Sequence, residues 1–592
     1  MTELISRRDI DFLLYEWLDI EELATQQRFA EHSRDTFDAV LDLAADMAER
    51  LFAPHNRESD ENEPYVDQDG RVVLVDGVRI ALEEFAKAGF IAGTFDDSVG
   101  GLQLPTTVSR AVMAWFQAAN AATTSYPFLT IANANLLVEH GTAEQVETWV
   151  APMLEGRYFG TMCLSEPEAG SSLADLSTKA TPAADGTYRV TGTKMWISAG
   201  EHELSENIVH LVLAKAPGGG PGTKGISLLI VPKFLPDGTR NDVTLVGLNH
   251  KMGNRGTTNT LLNFGDGTHR ATDGPGAVGY LVGELHQGLG YMFHMMNEAR
   301  IGVGMLATAL GYAGYLASVD YAKTRRQGRR VEMKDPSAAP VRLIDHPDVK
   351  RMLLAQKSYV EGALALGLYC ANLVDRAATS KGADHDDAHL LLDVLTPITK
   401  SWPSQWCLEA NSLAIQVHGG YGYARDFGVE QLYRDNRLNP IHEGTHGIQG
   451  LDLLGRKVVA DGGRGLRLLA ETIEVSLQRA QDLGDAAVEY VDGLRHALAR
   501  LTATTARLWA AEDLSTTLAN STLYLEAAGH VVLGWIWLEQ LIAAAPHAGD
   551  FYEGKRAAAQ YFFRYELPKT WPQFDLLDRL DRTTVDVPAN VF

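Results

Sequence analysis

The stretch GTYRVTGTKMWISAG, residues 186–200, decides how this chain is read. It is a short β-prone run bounded by glycine, in a chain whose opening residues read as helix. Three more such runs follow: NIVHLVLAKA (207–216), KGISLLIVPKF (224–234) and TTNTLLNFGD (257–266). Gly, Pro and Asp punctuate them at short intervals. The region from about Thr161 to Leu281 therefore reads as a small β-domain, a barrel or a sandwich.

Outward from it the texture is helical. RDTFDAVLDLAADMAERLF (34–52) and RIALEEFAKAGFI (79–91) space their apolar residues by three and four. Helical periodicity returns at Gly288, and HPDVKRMLLAQKSYVEGALALGLYCANLVDRAATS (346–380) reads as one long helix. Another is expected in LLLDVLTPITKSWPSQWCLEANSLAIQVHGG (390–420), despite its prolines. From about residue 462 the chain is rich in Ala, Leu and Glu and reads as all-helical. The expected fold class is α+β and multidomain: an N-terminal helical domain (1–160), a β-domain (161–283), a C-terminal helical bundle (284–460) and an additional helical domain (461–592).

The composition, 45% hydrophobic and 22% charged, is that of an ordinary globular chain, and its 592 residues suffice for large cores. A formal net charge of -24 disfavours nucleic acid as a partner, because phosphate meets a repulsive field. Cys163, Cys370 and Cys407 make no disulfide framework and no metal-type spacing, which points to a reducing, cytoplasmic setting. Acidic residues interrupt the N-terminal apolar residues, so no signal peptide is read there. The most membrane-like run, AAGHVVLGWIWLEQLIAAA (527–545), is interrupted by His530 and Glu539, and a buried helix is expected rather than a span.

NPIHEGTHGIQG (439–450) contains HEGTH, which fits the H-E-x-x-H pattern of zinc peptidases. That pattern needs both histidines on one helical face. Here Gly444 and Gly447 fall inside the would-be helix, each at a cost of about 1 kcal/mol relative to Ala. Gln449 and Asp452 occupy the places where the longer metalloprotease pattern wants Gly and His, which leaves Glu471 or Glu474 as third ligand. The reading that drops the metal keeps Glu443 as a general base on a loop whose glycines admit a ligand closely. A capping or pairing role in a tight turn is the plain structural alternative.

Two stretches of the β-region, TMCLSEPEAGSSLADLSTKA (161–180) and YRVTGTKMWISAG (188–200), together resemble the acyl-CoA dehydrogenase family. Further stretches agree in the family's order: KMGNRGTTNTLLNF (251–264), NEARIGVGMLATALGYAGY (297–315), YAKTRRQGR (321–329), IQVHGGYGY (415–423) and RDNRLNPIHEGTHGIQG (434–450). The length, the loop DPSAAPVRLIDHPDVKRMLL (335–354) and the helical C-terminal extension resemble a larger subfamily, which includes bacterial fatty acyl-CoA dehydrogenases and 3-methylmercaptopropionyl-CoA dehydrogenases.

The resemblance implies α,β-desaturation of an acyl-CoA thioester with FAD as cofactor. It makes Glu443 the catalytic base that takes the Cα proton, while a hydride leaves Cβ for the flavin. Ala299 stands where some relatives carry the base instead, with Glu298 one residue away. For FAD it implies Met162, Leu164 and Ser165 along the isoalloxazine edge, Ser171 at the pyrophosphate, Trp196 packed on the ring and Ser198 near N5. Ser172 replaces the usual Asp of that pyrophosphate turn. Arg325, Gln416, Gly419 and Gly420 match residues that reach the FAD of a neighbouring subunit, and Thr445 matches another FAD contact. Ser171, Asn297, Arg300 and Gly444 are the implied substrate-binding residues. No metal is implied.

An electron-transferring flavoprotein is the implied partner, and a homodimer or dimer of dimers the implied assembly, with no membrane span and a cytoplasmic setting. The expected substrates are straight medium- to long-chain acyl-CoAs in fatty acid β-oxidation, with 3-methylmercaptopropionyl-CoA second. Also open are an acyl-CoA oxidase, a flavin-free binding relative and the zinc peptidase.

Overall fold

The computed structural model describes residues 3–272, 274–332 and 335–592, with all their side chains except those of 294–297 and 485–486. The chain forms two compact units, neither continuous in sequence. One comprises Asp38–Pro105 and Ala119–Ala299, the other Met1–Phe37, Thr106–Ala118 and Arg300–Phe592.

The first unit is built on eight strands: β1 (Tyr158–Cys163), β2 (Lys179–Pro182), β3 (Tyr188–Ser198), β4 (Asn207–Lys215), β5 (Ile226–Pro232), β6 (Val243–Leu248), β7 (Asn259–Phe264) and β8 (Ala277–Leu281). β5 pairs with β4, β2 joins β4 to β3, and β8 pairs with both β3 and β5, so the sheet closes on itself as a barrel. β7 and β6 extend outward from β3, and β1 lies parallel to β4. Val190, Val212, Leu229, Val231, Leu262 and Phe264 fill the interior. β4 and β5 are buried along almost their whole length, so their sequence shows continuous apolar character rather than alternation. Helix α1 (Ala121–His140) backs the barrel, where Asn133 Nδ2 donates to the carbonyls of Thr161 and Val209 at 3.1 and 2.9 Å.

The second unit is helical. Helix α2 (Gly288–Thr324) crosses the division between the units at residue 300. It is followed by α3 (Pro347–Thr379) and α4 (Ala383–His418), which pack together along their lengths. Pro403 has no N–H for the carbonyl of Thr399. That carbonyl lies against Gly304 of α2, where any Cβ would meet it at 2.0 Å. The expected long helix with internal prolines thus exists, and one proline marks a close helix crossing.

Two short helices, α5 (Val429–Asn436) and α6 (His446–Asp452), lead into the C-terminal residues. These form α7 (Ala460–Arg479), α8 (Asp485–Trp509), α9 (Ser521–Ala544) and α10 (Asp550–Tyr561). α2 and α9 are long and apolar enough to cross a membrane by length and composition, but most of each is buried within the protein. Trp535 Nε1 donates to Ser476 Oγ at 2.8 Å and Trp537 Nε1 to the Ser358 carbonyl at 3.1 Å. Glu539 accepts from Arg479 at 3.0 Å and from Trp17 Nε1 at 3.2 Å.

Contacts between residues far apart in sequence knit the helical unit together. Residues 461–592 share one compact unit with the bundle, because α9 buries its indoles against α3 and α7. The first 37 residues join that unit too, through a buried cluster in which Lys555 pairs with Asp9 and Glu361. A small hairpin, Tyr65–Val66 with Val72–Val73, interrupts the N-terminal helices.

Candidate active site

The turn between α5 and α6 carries Glu443. A ladder of buried amides anchors it. Asn411 Nδ2 donates to the Leu310 carbonyl at 2.9 Å, Asn436 Nδ2 to Asn411 Oδ1 at 2.7 Å, and Asn439 Nδ2 to Asn436 Oδ1 at 2.9 Å. His442 Nε2 closes the ladder on Asn439 Oδ1 at 3.0 Å. Beyond it the backbone turns left-handed, with φ +51° at Glu443 and +86° at Gly444. A left-handed Glu costs about 1–2 kcal/mol, a strain that persists only where the surroundings hold it. Gln449 Nε2 helps to hold it, donating to the Glu443 carbonyl at 2.9 Å. Any Cβ on residue 444 would meet that nitrogen at 2.5 Å and displace the Gln449 amide, and the left-handed backbone there favours glycine. Thr445 is the N-cap of α6, its hydroxyl accepting from Ile448 N at 3.4 Å.

The electrostatics of the turn are unusual. Burial pushes the Glu443 carboxyl above its ordinary value, and the cations Lys400 and Arg300 pull it only partly back. Burial likewise lowers Lys400 to about 7, against the opposing pull of Glu443. Arg300, 3% exposed, donates from Nη1 to Asp452 Oδ2 at 2.9 Å. It therefore sits in a buried ion pair, not on the surface. Burial also lowers His442 to about 3 and His446 to about 4, so both rings are neutral at neutral pH.

This geometry removes the helix that H-E-x-x-H requires. Residues 437–444 are turns and the helix begins only at His446, so the two histidines do not lie one helical turn apart. Among the described residues no group of three or more His, Cys, Asp or Glu is arranged to hold a metal ion. Near the alternative base position, Ala299 is buried and Glu298 accepts from Asn135 Nδ2 at 2.8 Å. Asn297 lies within α2, and its side chain is outside the described residues.

In the barrel unit, the register of β3 against β7 slips between Lys194 and Ile197, a bulge that turns one side chain outward. That residue is Trp196, left-handed at φ +65° and 58% exposed. Ser198, at the end of β3, accepts from Asn259 Nδ2 at 3.2 Å. Met162, Leu164 and Ser165 are half-buried at the end of β1, and the Ser165 carbonyl accepts from Met195 N at 2.9 Å. Buried Lys194 donates to the Leu164 carbonyl at 2.9 Å and to Glu166 Oε1 at 3.0 Å. Ser171 is exposed beside Ser172, whose hydroxyl donates to Asp175 at 2.6 Å.

Back in the helical unit, Arg325, Gly419 and Gly420 line a cleft of about 660 Å³, with Tyr321, His418 and Tyr421 among its walls. The Arg325 guanidinium lies 5.6 Å from the Tyr421 ring centre. Gln416 is exposed on the last turn of α4. Gly419 ends that helix at φ +62°, ψ -135°, a conformation open to glycine.

Sequence reading missed Lys400, Asp452 and Gln449. One signal was visible: in TPITKSWP, residues 396–403, a lysine stands in an apolar helical stretch between two prolines.

Comparison with known proteins follows the same lines. Four family models match in succession: acyl-CoA dehydrogenase N-terminal domain (34–157), middle domain (161–266), C-terminal domain (286–458) and acetyl-CoA dehydrogenase C-terminal like (467–588). The 3-methylmercaptopropionyl-CoA dehydrogenase of Ruegeria pomeroyi is 35% identical, over 95% of both chains. The broad-specificity linear acyl-CoA dehydrogenase FadE5 of Mycobacterium tuberculosis is 33% identical over 99% of both. The solved structure of Caenorhabditis elegans ACDH-11 in complex with C11-CoA superposes with a TM-score of 0.76 at 18% identity, covering 94% of this chain and 89% of that one. By architecture and by whole-length similarity, this chain belongs to the acyl-CoA dehydrogenase family.

Proposed function

We propose that this acyl-CoA dehydrogenase desaturates straight medium- to long-chain acyl-CoAs in fatty acid β-oxidation, with Glu443 as the base. The observation that carries the reading is the Glu443 turn: a left-handed, anchored carboxylate with a raised pKa, flanked by Lys400 and Arg300. A base for a weakly acidic Cα–H needs such a raised pKa, and the cations Lys400 and Arg300 oppose the rise that burial causes. The same cations stabilise the enolate charge that develops as the proton leaves.

The family is FAD-dependent, and the residues present fit that cofactor. The half-buried end of β1 (Met162, Leu164, Ser165), the outward indole of Trp196 and the Ser198 hydroxyl suit a flat heteroaromatic ring. In the barrel unit exposed Ser171 suits a pyrophosphate contact, and in the helical unit exposed Arg325, with backbone from Gly419 and Gly420, suits an anionic phosphate group by charge and fork geometry. Bound FAD supplies the acceptor for the hydride from Cβ. Gln416 and Thr445 complete the cofactor set, and Asn297, Arg300 and Gly444 the substrate set, by the same family resemblance. Arg325, Gln416, Gly419 and Gly420 are assigned to the FAD of a second copy, which makes the working form a homodimer or dimer of dimers. The protein acts in the cytoplasm, and electrons pass to an electron-transferring flavoprotein.

The 33% identity to a linear acyl-CoA dehydrogenase supports the straight-chain preference. The 35% identity to a 3-methylmercaptopropionyl-CoA dehydrogenase makes that thioether acyl group the second reading. The test is an oxygen-free titration of the yellow holoprotein with butanoyl-, octanoyl-, palmitoyl- and 3-methylmercaptopropanoyl-CoA, read by flavin absorbance. Bleaching by octanoyl- or palmitoyl-CoA at the lowest concentration is expected. Bleaching by the thioether substrate alone selects the second reading, and peroxide formed in air at every turnover marks an oxidase.

A further inference from the structure

Lys400 stands out among the buried cations of the helical unit. It is wholly buried on α4, yet its ammonium donates to two backbone carbonyls, Asn439 at 2.8 Å and Gly444 at 2.7 Å. These carbonyls bracket the turn that carries Glu443. One is the backbone carbonyl of Asn439, whose side chain ends the buried ladder, and the other is the backbone carbonyl of Gly444, the residue after Glu443. A lysine at mid-helix between Pro397 and Pro403 is a costly way to satisfy two carbonyls, because its charge must leave water. A neutral donor would serve a purely structural need.

We propose that Lys400 is a positioning residue of the reaction. It clamps the Asn439–Gly444 turn so that Glu443 keeps its left-handed geometry, and its charge keeps the carboxylate available for the α-proton. This rests on the assignment of Glu443 as the base.

The surroundings agree. Toward Glu443 the packed elements present Lys400 from α4 and Arg300 from α2, the latter held by Asp452 of α6. The turn and α6 add His442 and His446, both neutral at neutral pH, and Arg437 acts on His446. Arg300 already has a carboxylate partner. Lys400 is the cation whose hydrogen bonds go to the turn itself, to the carbonyls of Asn439 and Gly444.

The test uses K400M, K400Q and E443Q holoenzymes in oxygen-free stopped flow with octanoyl-CoA, from about pH 6 to 9. Binding of trans-2-octenoyl-CoA, read from the flavin spectrum, reports ground-state affinity separately. K400M is expected to reduce its flavin about 100-fold more slowly, the scale of a small misplacement of a reacting group. Its enoyl-CoA affinity should change by less than about threefold, which separates positioning from binding. Losing the cation removes a cause that lowers the Glu443 pKa, so the midpoint of the pH–rate curve should move up by about one unit. K400Q keeps an amide donor without charge. It should recover part of the rate but keep the upward shift, and it carries the test if K400M does not fold. Unchanged rate and midpoint in either folded variant overturn the proposal. Undiminished flavin reduction by E443Q would instead overturn the assignment of the base.

Discussion

Each unit of the molecule buries a lysine beside a glutamate, and the two neighbourhoods come out oppositely. In the barrel, Lys194 meets Glu166 directly at 3.0 Å, and Glu166 also accepts from Ser177 and Thr178. Burial alone would raise that carboxyl, but Lys194 and the hydrogen bonds more than offset it and bring it to about 2. In the helical unit, Lys400 spends its hydrogen bonds on carbonyls and touches Glu443 only through its field, so burial wins and the Glu443 carboxyl rises. The same two residue types thus give a carboxyl held well below its ordinary value in one place and one raised above it in the other. What decides is where the lysine's N–H groups point.

The largest effect expected from this contrast is on stability. E166Q leaves the Lys194 ammonium, wholly buried, without its counter-charge, and should cost about 3–5 kcal/mol in urea unfolding followed by circular dichroism. A cost below about 1 kcal/mol would show that the pair is not the structural partner of the contrast.

The pH dependence of the same pair sharpens the point. The folded Glu166 carboxyl lies below its ordinary value of 4.5, at about 2. Its contribution is therefore complete above pH 4.5 and disappears as pH falls toward 2. It amounts to about 3 kcal/mol. Acid unfolding should accordingly begin at higher pH in E166Q than in the parent protein, while both behave alike from pH 5 to 6 apart from the constant offset.

A smaller effect is expected at the turn. G444A forces a Cβ against Gln449 at a left-handed position and should cost about 1–3 kcal/mol of stability. Its flavin reduction should slow by about 10- to 100-fold because Glu443 loses its orientation. A variant that matched the parent in rate would show that the turn need not be left-handed.

Much of this was legible in the sequence, and the reasons differ by region. The barrel announced itself through short β-prone runs broken by Gly and Pro, and the structure closes them with β8. HEGTH drew attention to Glu443 and to a zinc reading at once, and the absence of a helix through residues 437–444 counts against the zinc reading. The glycine at 444 that argued against a helix is the residue that permits the turn. Lys400, Asp452 and Gln449 were not legible as site residues, since their roles depend on which helices meet: Gln449 reaches back across a turn, and Lys400 reaches from α4. The placement of the first 37 residues with the helical unit was equally hidden. It depends on pairs such as Lys555 with Asp9, formed between opposite ends of the chain.

Whether Glu443 takes the α-proton is read most directly by oxygen-free mixing of E443Q holoenzyme with octanoyl-CoA while flavin absorbance is followed. With Glu443 as the base, the variant keeps its FAD, shows a spectral shift on binding and reduces its flavin about 1,000- to 10,000-fold more slowly than the parent, the scale of a lost general base. Bleaching at the parent rate would contradict it and move the base to another residue.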